Sequence, residues 1–448
     1  MKLIPPQLEI KDGKGFENTD LFDRKPFAES LTNLITNIDD PLVISLDAPW
    51  GEGKTVFVKQ WQGLLQEQGI SSLYFDAFAG DYQEDAFLAI SAEIFTFAKE
   101  HLDSKDVEHQ ERGKKFKKTA VGVSKALLKA GTKTTLKAVT LGALDGSEIE
   151  DAQKDIAAEL GKVTDKLIDD ALEKHQESKE SFIAFQEALG ELAEVLSEDG
   201  KPFVIVVDEL DRCRPDFALE LLEKIKHVFS IRNMVFVLSN NSVQLEESIR
   251  CAYGPGIDAH AYLQKFITVS VKLPKEVDGG YKRYGDTRRY IDYLFEQMEL
   301  EAHGYRAEYT MILRPLCADM GLTLRQIEKV ISSIALYNAF IGQDWINHYY
   351  LVCGYSFIKE LRPKLFKLLA EGKATYPDVA NFFRFENYKG EDAELERFKG
   401  WWQYVFERNE MMEEGGVAYC EHFMRVYGTH QKNILKLTLA PMLYTNMR

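Results

Sequence analysis

Residues 41–55 read PLVISLDAPWGEGKT, a strand-like run followed by a glycine-containing loop and the start of a helical pattern. Its first part, Pro41 to Leu46, is a run of β-branched residues and leucine, which predicts a short buried strand. A loop with two glycines, Asp47 to Gly53, follows the strand, and helical spacing of apolar residues begins at Lys54. A strand that passes through such a loop into a helix favours anion binding, because the helix start offers free N–H groups and the positive end of its dipole.

The loop from Ala48 to Thr55 has the Walker A pattern, with alanine in place of the first glycine. The two remaining glycines let the backbone curl so that several N–H groups face one anion. We expect Lys54 to reach the β- and γ-phosphates and the Thr55 hydroxyl to bind Mg²⁺. Taken alone, the loop is also compatible with a glycine-rich turn that only caps a helix. The nucleotide-binding set predicted from it is Pro49, Trp50, Gly51, Glu52, Gly53, Lys54, Thr55 and Val56.

A second half of the site lies far along the chain, where residues 203–209 read FVIVVDE. A strongly apolar strand that ends in an acid is the Walker B pattern, since its carboxylate must reach Mg²⁺ at the carboxyl edge of the sheet. We therefore expect Asp208 to bind the metal and Glu209 to deprotonate the attacking water. A core strand with solvated terminal acids is the alternative for this segment alone. The two motifs together, in the right order, favour nucleotide binding.

The remaining apolar runs predict the architecture around these motifs. Strand-like runs at Ser72–Phe75, Met234–Leu238 and Phe266–Leu273 alternate with helical patterns, as in βαβ units. The predicted fold class is α/β, a P-loop NTPase of ASCE type with a mostly parallel sheet, a helical insert and an all-α C-terminal region. The predicted domains are 1–100 and 181–280 for the two parts of the NTPase domain, 101–180 for the insert, and 281–448 for the helical C-terminal domain.

Composition excludes several protein classes. The chain has 448 residues, 45% of them apolar, which is enough for a sizeable core and excludes a disordered chain. Five scattered cysteines predict reduced thiols rather than a disulfide framework. The net charge of −16 disfavours binding of DNA or anionic lipid by the whole surface. We expect no signal peptide and a cytoplasmic protein.

Beyond the two motifs, the chain resembles the KAP family of P-loop NTPases over about Thr19 to Pro274. The segments that carry the resemblance are DLFDRKPFAESL (20–31), APWGEGKT (48–55), VIVVDELDRCRPDFALELLEKIK (204–226), FVLSNN (236–241) and YLQKFITVSVKLP (262–274). The resemblance implies an ATPase that requires Mg²⁺ and couples nucleotide turnover to conformational change or assembly. Some bacterial members act in phage exclusion, so anti-phage defence is one expected cellular role.

The resemblance also implies roles for three polar positions. Arg24 is expected to flank the nucleotide base, or else to belong to a surface segment before a helix. Arg212 is expected to sense the γ-phosphate or to act as an arginine finger on a neighbouring subunit, and pairing with Asp211 is the structural alternative. Asn240 or Asn241 is expected beside the attacking water, or in a simple turn.

Two further cations, Lys265 and Arg325, resemble basic residues that the family places near the phosphates. The alternative for each is a solvated charge on a helix. The predicted catalytic set is therefore Glu209, Lys54, Arg212 and Asn240, with Thr55 and Asp208 as metal ligands.

Residues 114–141 predict a basic amphipathic helix. KKFKK occupies 114–118, and lysines recur every four residues at Lys125, Lys129, Lys133 and Lys137. So many charges exclude a transmembrane helix. Three interpretations compete: packing against the acidic segment 148–172, peripheral contact with an anionic membrane such as the inner face of the cytoplasmic membrane, and binding of nucleic acid or a partner protein.

Two other functions remain open from the sequence. The first is a nucleotide-gated scaffold or sensor that binds ATP and hydrolyses it negligibly. The second is a motor stimulated by nucleic acid. The expected partners are ATP, further copies of the chain in a homo-oligomer, and a protein effector that the sequence does not identify.

Overall fold

A computed structural model of the chain describes most of the predicted NTPase core and much of the C-terminal region. The described residues are 2–6, 15–38, 40–82, 85–102, 111, 114–115, 117–118, 183–196, 200–227, 229–275, 284–300, 306–341, 349–388, 392–406 and 442. Most of the insert, including Lys125, Lys129, Lys133, Lys137 and the acidic segment 148–172, lies outside these residues.

A five-stranded sheet forms the centre of the molecule, and every strand pair in it is parallel. In their spatial order the strands are β2 (Ser72–Asp76), β3 (Phe203–Asp208), β4 (Met234–Asn240), β1 (Leu42–Asp47) and β5 (Val269–Lys272). Because β4 separates the strand before the loop from the strand that ends in the acids, the topology matches the predicted ASCE type.

The register brings the polar ends of these strands together. Asp47 pairs with Asn240 across β1 and β4. Asp208 lies opposite Asp76 on one side and Ser239 on the other. Since the strands are parallel, all of these residues lie at the carboxyl edge, where α/β proteins bind ligands.

Helices cover both faces of the sheet, as a parallel sheet requires. Every residue of β3 is buried, and alternate residues face different cores. Ile205 packs with one cluster, which includes residues of the helices Ala86–Leu102 and Pro215–His227 and of the helical segment 183–196. Val206 packs with the other cluster, which includes residues of the helices Lys25–Thr36 and Lys54–Glu67. The helices of this half are α1 (Lys25–Thr36), α2 (Lys54–Glu67), α3 (Ala77–Gly80), α4 (Ala86–Leu102), α5 (Pro215–His227), α6 (Ser242–Tyr253) and α7 (Ala259–Leu263).

The C-terminal region has its own core, and the described part of it after β5 is helical, as predicted. Trp401 and Trp402 are buried in this core, so these aromatic residues pack the interior. The helices are α8 (Gly285–Gln297), α9 (Arg306–Asp319), α10 (Leu324–Ile341), α11 (Tyr349–Leu361), α12 (Pro363–Ala370), α13 (Tyr376–Phe383) and α14 (Ala393–Phe406).

The described start of the insert packs on the NTPase core. Lys115 forms an ion pair with Glu191 at 2.7 Å, and the Lys117 ammonium lies 4.8 Å from the centre of the Phe95 ring. Among the residues that the structure describes, none of the helices is both long and apolar enough to cross a bilayer.

Candidate nucleotide-binding site

The loop between β1 and α2 has the backbone that its glycines predict. Gly51 and Gly53 have φ of +84° and +80°, which side-chain-bearing residues rarely adopt. The Lys54 ammonium lies back over the loop and donates to the carbonyl oxygens of Ala48 at 2.6 Å and Pro49 at 3.4 Å. Burial lowers the pKa of Lys54, while the nearby Asp211 and Asp208 carboxylates oppose this shift. The loop therefore holds a buried cation against its own backbone.

The two predicted half-sites meet at Thr55 and Asp208. The Thr55 hydroxyl donates a hydrogen bond of 2.7 Å to Oδ2 of Asp208, across 153 positions of sequence. Asp208 is buried, and its Oδ1 accepts the backbone N–H of Glu209 at 2.9 Å. The expected metal ligands are thus in direct contact.

Glu209 adopts a left-handed backbone at the end of β3, with φ of +60°. Its carboxylate forms an ion pair of 2.8 Å with Arg212, which lies on the 3₁₀ turn Leu210–Arg212. Burial raises the pKa of Glu209, and Arg212 counteracts this shift. Arg212 thus pairs with Glu209, and the predicted alternative of a pair with Asp211 is wrong. Asp211 accepts a hydrogen bond from the Trp50 indole.

Asn240 and Asn241 differ in their surroundings. Asn240 ends β4, is fully buried, and accepts a hydrogen bond of 2.9 Å from Ser45 through Oδ1. Its Nδ2 has no hydrogen-bond partner within the described part of the chain. Asn241 is the half-buried residue before α6 and makes no side-chain capping bond. Asn240 is therefore the better match to the predicted polar residue at this edge.

Arg24 lies beneath the loop rather than on the surface. It is buried, and its guanidinium donates to the carbonyl oxygens of Glu52 and Pro274, both at 3.2 Å. Burial lowers its pKa, and Asp286 leads the carboxylates that oppose this shift. These bonds fix the loop relative to the chain after β5, while contact between Arg24 and a base stays a prediction.

Lys275 holds the same loop residue from another side. Its ammonium donates to Oε1 of the buried Glu52 at 2.8 Å and to the carbonyl oxygen of Leu322 at 3.3 Å. Leu322 lies just before α10, so one lysine connects the loop to the C-terminal helices.

The start of α10 contacts the loop directly. The backbone N–H of Arg325 donates to the carbonyl oxygen of Gly51 at 3.2 Å. This contact brings Arg325 to the predicted vicinity, with its side chain exposed. Lys265 does not reach it, because Lys265 precedes β5 and Thr268 bonds to Val43 at the opposite edge of the sheet. Lys265 is exposed just after α7, so it matches the predicted alternative of a solvated charge and does not lie near the phosphates.

Two members of the predicted set remain exposed at this edge. Trp50 and Val56 expose 41% and 36% of their surface, so neither is buried in the protein core. The Trp50 indole nitrogen donates a hydrogen bond to Asp211.

Sequence reasoning missed Tyr74 and Lys275. The Tyr74 hydroxyl donates to Oδ2 of Asp208 at 3.0 Å. Burial, and then the Asp208 charge, raise the pKa of this phenol. An alternating strand such as β2 gives no sign of which neighbour its side chains meet. For Lys275 a usable signal existed, because a lysine three residues after the end of β5 is expected near the carboxyl edge of the sheet.

Family comparison now adds to this geometry. A profile of the KAP family P-loop domain matches residues 24–341. The chain belongs to the KAP family. This KAP domain is a nucleotide-binding P-loop NTPase domain, and the match extends beyond the sheet through α10.

Two similar proteins come from archaea. An uncharacterized protein of Methanocaldococcus jannaschii is 32% identical over 180 residues, which cover 37% of this chain and 88% of that protein. The solved structure of the Aeropyrum pernix ORC2 protein, in ADPNP–ADP complexes, is 12% identical. That comparison covers 98% of this chain and 95% of the ORC2 chain with a TM-score of 0.36.

Proposed function

We propose that this KAP domain hydrolyses ATP in a reaction that requires Mg²⁺, and that the bound nucleotide controls the C-terminal helices. The hydrogen bond between Thr55 and Asp208 carries the proposal, because it joins the phosphate loop to the acidic strand end. The Thr55 hydroxyl donates a hydrogen bond to Asp208, so the lone pairs of the Thr55 oxygen stay available for a cation. One hydroxyl and one carboxylate, completed by phosphate oxygens and water, suit Mg²⁺.

Each residue has a distinct task in the proposed reaction. Bound Mg²⁺ would neutralise charge on the β- and γ-phosphates, with Thr55 and Asp208 holding it. Lys54 and the loop N–H groups bind the phosphates. Glu209 accepts a proton from the attacking water as the water oxygen bonds to the γ-phosphorus. The bond from that phosphorus to the bridging oxygen breaks, and ADP and phosphate form.

Arg212 and Arg325 are the cations proposed to act on the triphosphate during the reaction. The ion pair between Arg212 and Glu209 neutralises the proposed base in this arrangement. We infer that the triphosphate draws Arg212 away, which frees the carboxylate and places a cation beside the transferring group. Arg325, at the start of α10, is the second cation proposed for the triphosphate.

The test is turnover by wild type and by Glu209→Gln. Loss of the base lowers kcat by about 10²–10⁴-fold, while ATP binding is retained because Glu209 holds neither phosphate nor metal. Glu371→Gln, on the C-terminal side of the molecule, is the matched control. Equal phosphate release by wild type and Glu209→Gln contradicts the proposed role of Glu209, and no release above background by wild type contradicts hydrolysis.

The same ion pair favours a second candidate, a nucleotide-gated scaffold with negligible hydrolysis. If Arg212 stays on Glu209 when ATP binds, the base remains neutralised and the nucleotide acts only through the loop and α10. Tight ATP binding with background turnover in wild type, and turnover that rises in Arg212→Ala because Glu209 is then free, supports this candidate.

ATP as the nucleotide and a role in anti-phage defence are parts of the proposal that rest on the resemblance to the family. A cytoplasmic location rests on the scattered cysteines, and assembly into a homo-oligomer is a further part of the proposal. Measurement of the particle mass with and without a non-hydrolysable ATP analogue tests assembly. An increase with the analogue supports nucleotide-dependent assembly, and an unchanged monomer mass contradicts it.

A further inference from the structure

Tyr74 belongs to a strand that carries none of the predicted motifs, yet its hydroxyl reaches the centre of the candidate site. It donates to Oδ2 of Asp208 at 3.0 Å, and the Thr55 hydroxyl donates to the same oxygen at 2.7 Å. The N–H of Glu209 occupies the other carboxylate oxygen. Three donors therefore fix the orientation of one buried side chain.

The strand register explains this contact. β2 lies beside β3 at the end of the sheet, and Tyr74 is two residues before Asp76, which pairs with Asp208. The long tyrosine side chain crosses this offset and brings its hydroxyl to the carboxylate. The Lys59 ammonium lies 5.7 Å from the centre of the Tyr74 ring, a contact that does not involve the hydroxyl.

We propose that Tyr74 is a positioning residue that holds the Asp208 carboxylate in the orientation needed for the metal ion of the nucleotide complex. The proposal rests on the proposed function, because it assigns a metal to Thr55 and Asp208. Carboxylates that bind metals depend on such outer hydrogen bonds, and removal of one typically costs about 10–100-fold in metal affinity or activity.

The experiment measures binding of a fluorescent ADP analogue to the full chain, once with EDTA and once over a Mg²⁺ titration. Tyr74→Phe removes the hydroxyl and keeps the ring. We expect its affinity for the analogue in EDTA to equal that of wild type, and its Mg²⁺ midpoint to rise by about 10-fold or more. A residue with only a packing role would leave the Mg²⁺ midpoint unchanged.

Tyr253→Phe is the matched control, because the Tyr253 hydroxyl bonds to Tyr262 on helices away from the loop. Its Mg²⁺ midpoint should equal that of wild type, and thermal unfolding should show that both variants fold. A wild-type midpoint in Tyr74→Phe overturns this proposal alone. A wild type whose affinity does not respond to Mg²⁺ contradicts the proposed metal requirement, and this proposal with it.

Discussion

Asp208 and Glu209 are adjacent in the chain, but their backbones differ. Asp208 continues the strand, whereas Glu209 has a left-handed conformation that is uncommon for a residue with a side chain. Such strain costs about 1–2 kcal/mol and clusters at functional sites. It ends the strand and starts the short turn that returns Arg212 to Glu209. One strained residue thus separates the proposed metal ligand from the proposed base.

Asn240 is expected to contribute both to turnover and to stability. Asn240→Ala removes a buried amide whose Nδ2 has no partner in the described residues, so a donor proposed for the water or the γ-phosphate is lost. We expect kcat to fall by about 10²-fold with little change in ATP affinity. Stability should also fall by about 1–3 kcal/mol, because the buried Ser45 hydroxyl loses its acceptor.

Steady-state turnover, nucleotide binding and urea unfolding measure these three effects. Asn241→Ala is the control, since Asn241 makes no capping bond through its side chain. If Asn241→Ala reduces kcat as much as Asn240→Ala does, the assignment of Asn240 is wrong.

Among the secondary-structure elements, the contact between α10 and the phosphate loop has the clearest consequence. A Cβ on Gly51 would lie 2.6 Å from the Arg325 Cβ, and the Gly51 φ of +84° already disfavours a side chain. Gly51→Ala must therefore displace either the loop or α10. We expect nucleotide affinity to fall by at least about 10-fold, which corresponds to 1.4 kcal/mol or more.

Gly200→Ala separates the steric effect from backbone strain. Gly200 has a similar φ of +74°, but a Cβ there meets nothing within 4 Å. This variant should lose stability by about 1 kcal/mol and bind nucleotide like wild type. Equal nucleotide affinity in Gly51→Ala and wild type would contradict the proposed role of the loop.

For the whole molecule, Lys275 links the sheet to the C-terminal helices. It joins the buried Glu52 to the carbonyl oxygen before α10, and its own side chain is 30% exposed. Lys275→Met leaves the Glu52 carboxylate without its cation, so we expect the free energy of unfolding to fall by about 1–3 kcal/mol.

Chemical unfolding of Lys275→Met and of the double variant with Glu52→Gln measures the link. The double variant should recover part of the loss, because the orphaned charge is gone. Lys373→Met, which breaks an exposed pair with Glu371, should change stability by less than about 1 kcal/mol. Wild-type stability in Lys275→Met would mean that Lys275 contributes no net stability to this contact.

The phosphate loop, its flanking strand and helix, and the acids at the end of β3 follow from the order of residues alone. The glycines that need positive φ, the strand before them and the helix after them all lie within residues 41–67. The acids at the end of β3 were equally readable, because an apolar run followed by Asp208 is a local signal. Such features depend on neighbours in the chain, so the fold class and the two motifs could be predicted.

Which distant side chains meet depends on strand pairing and on helix packing. Strand order places Tyr74 beside Asp208 and places Lys265 near the start of the strands, at the edge opposite the site. Helix packing brings α10 into contact with Gly51. Pairing of parallel strands joins segments that are far apart in sequence, and no local pattern encodes the partner. The place of Tyr74 at the site, and the partners of the cations that the sequence had already indicated, therefore became visible only when the sheet was assembled.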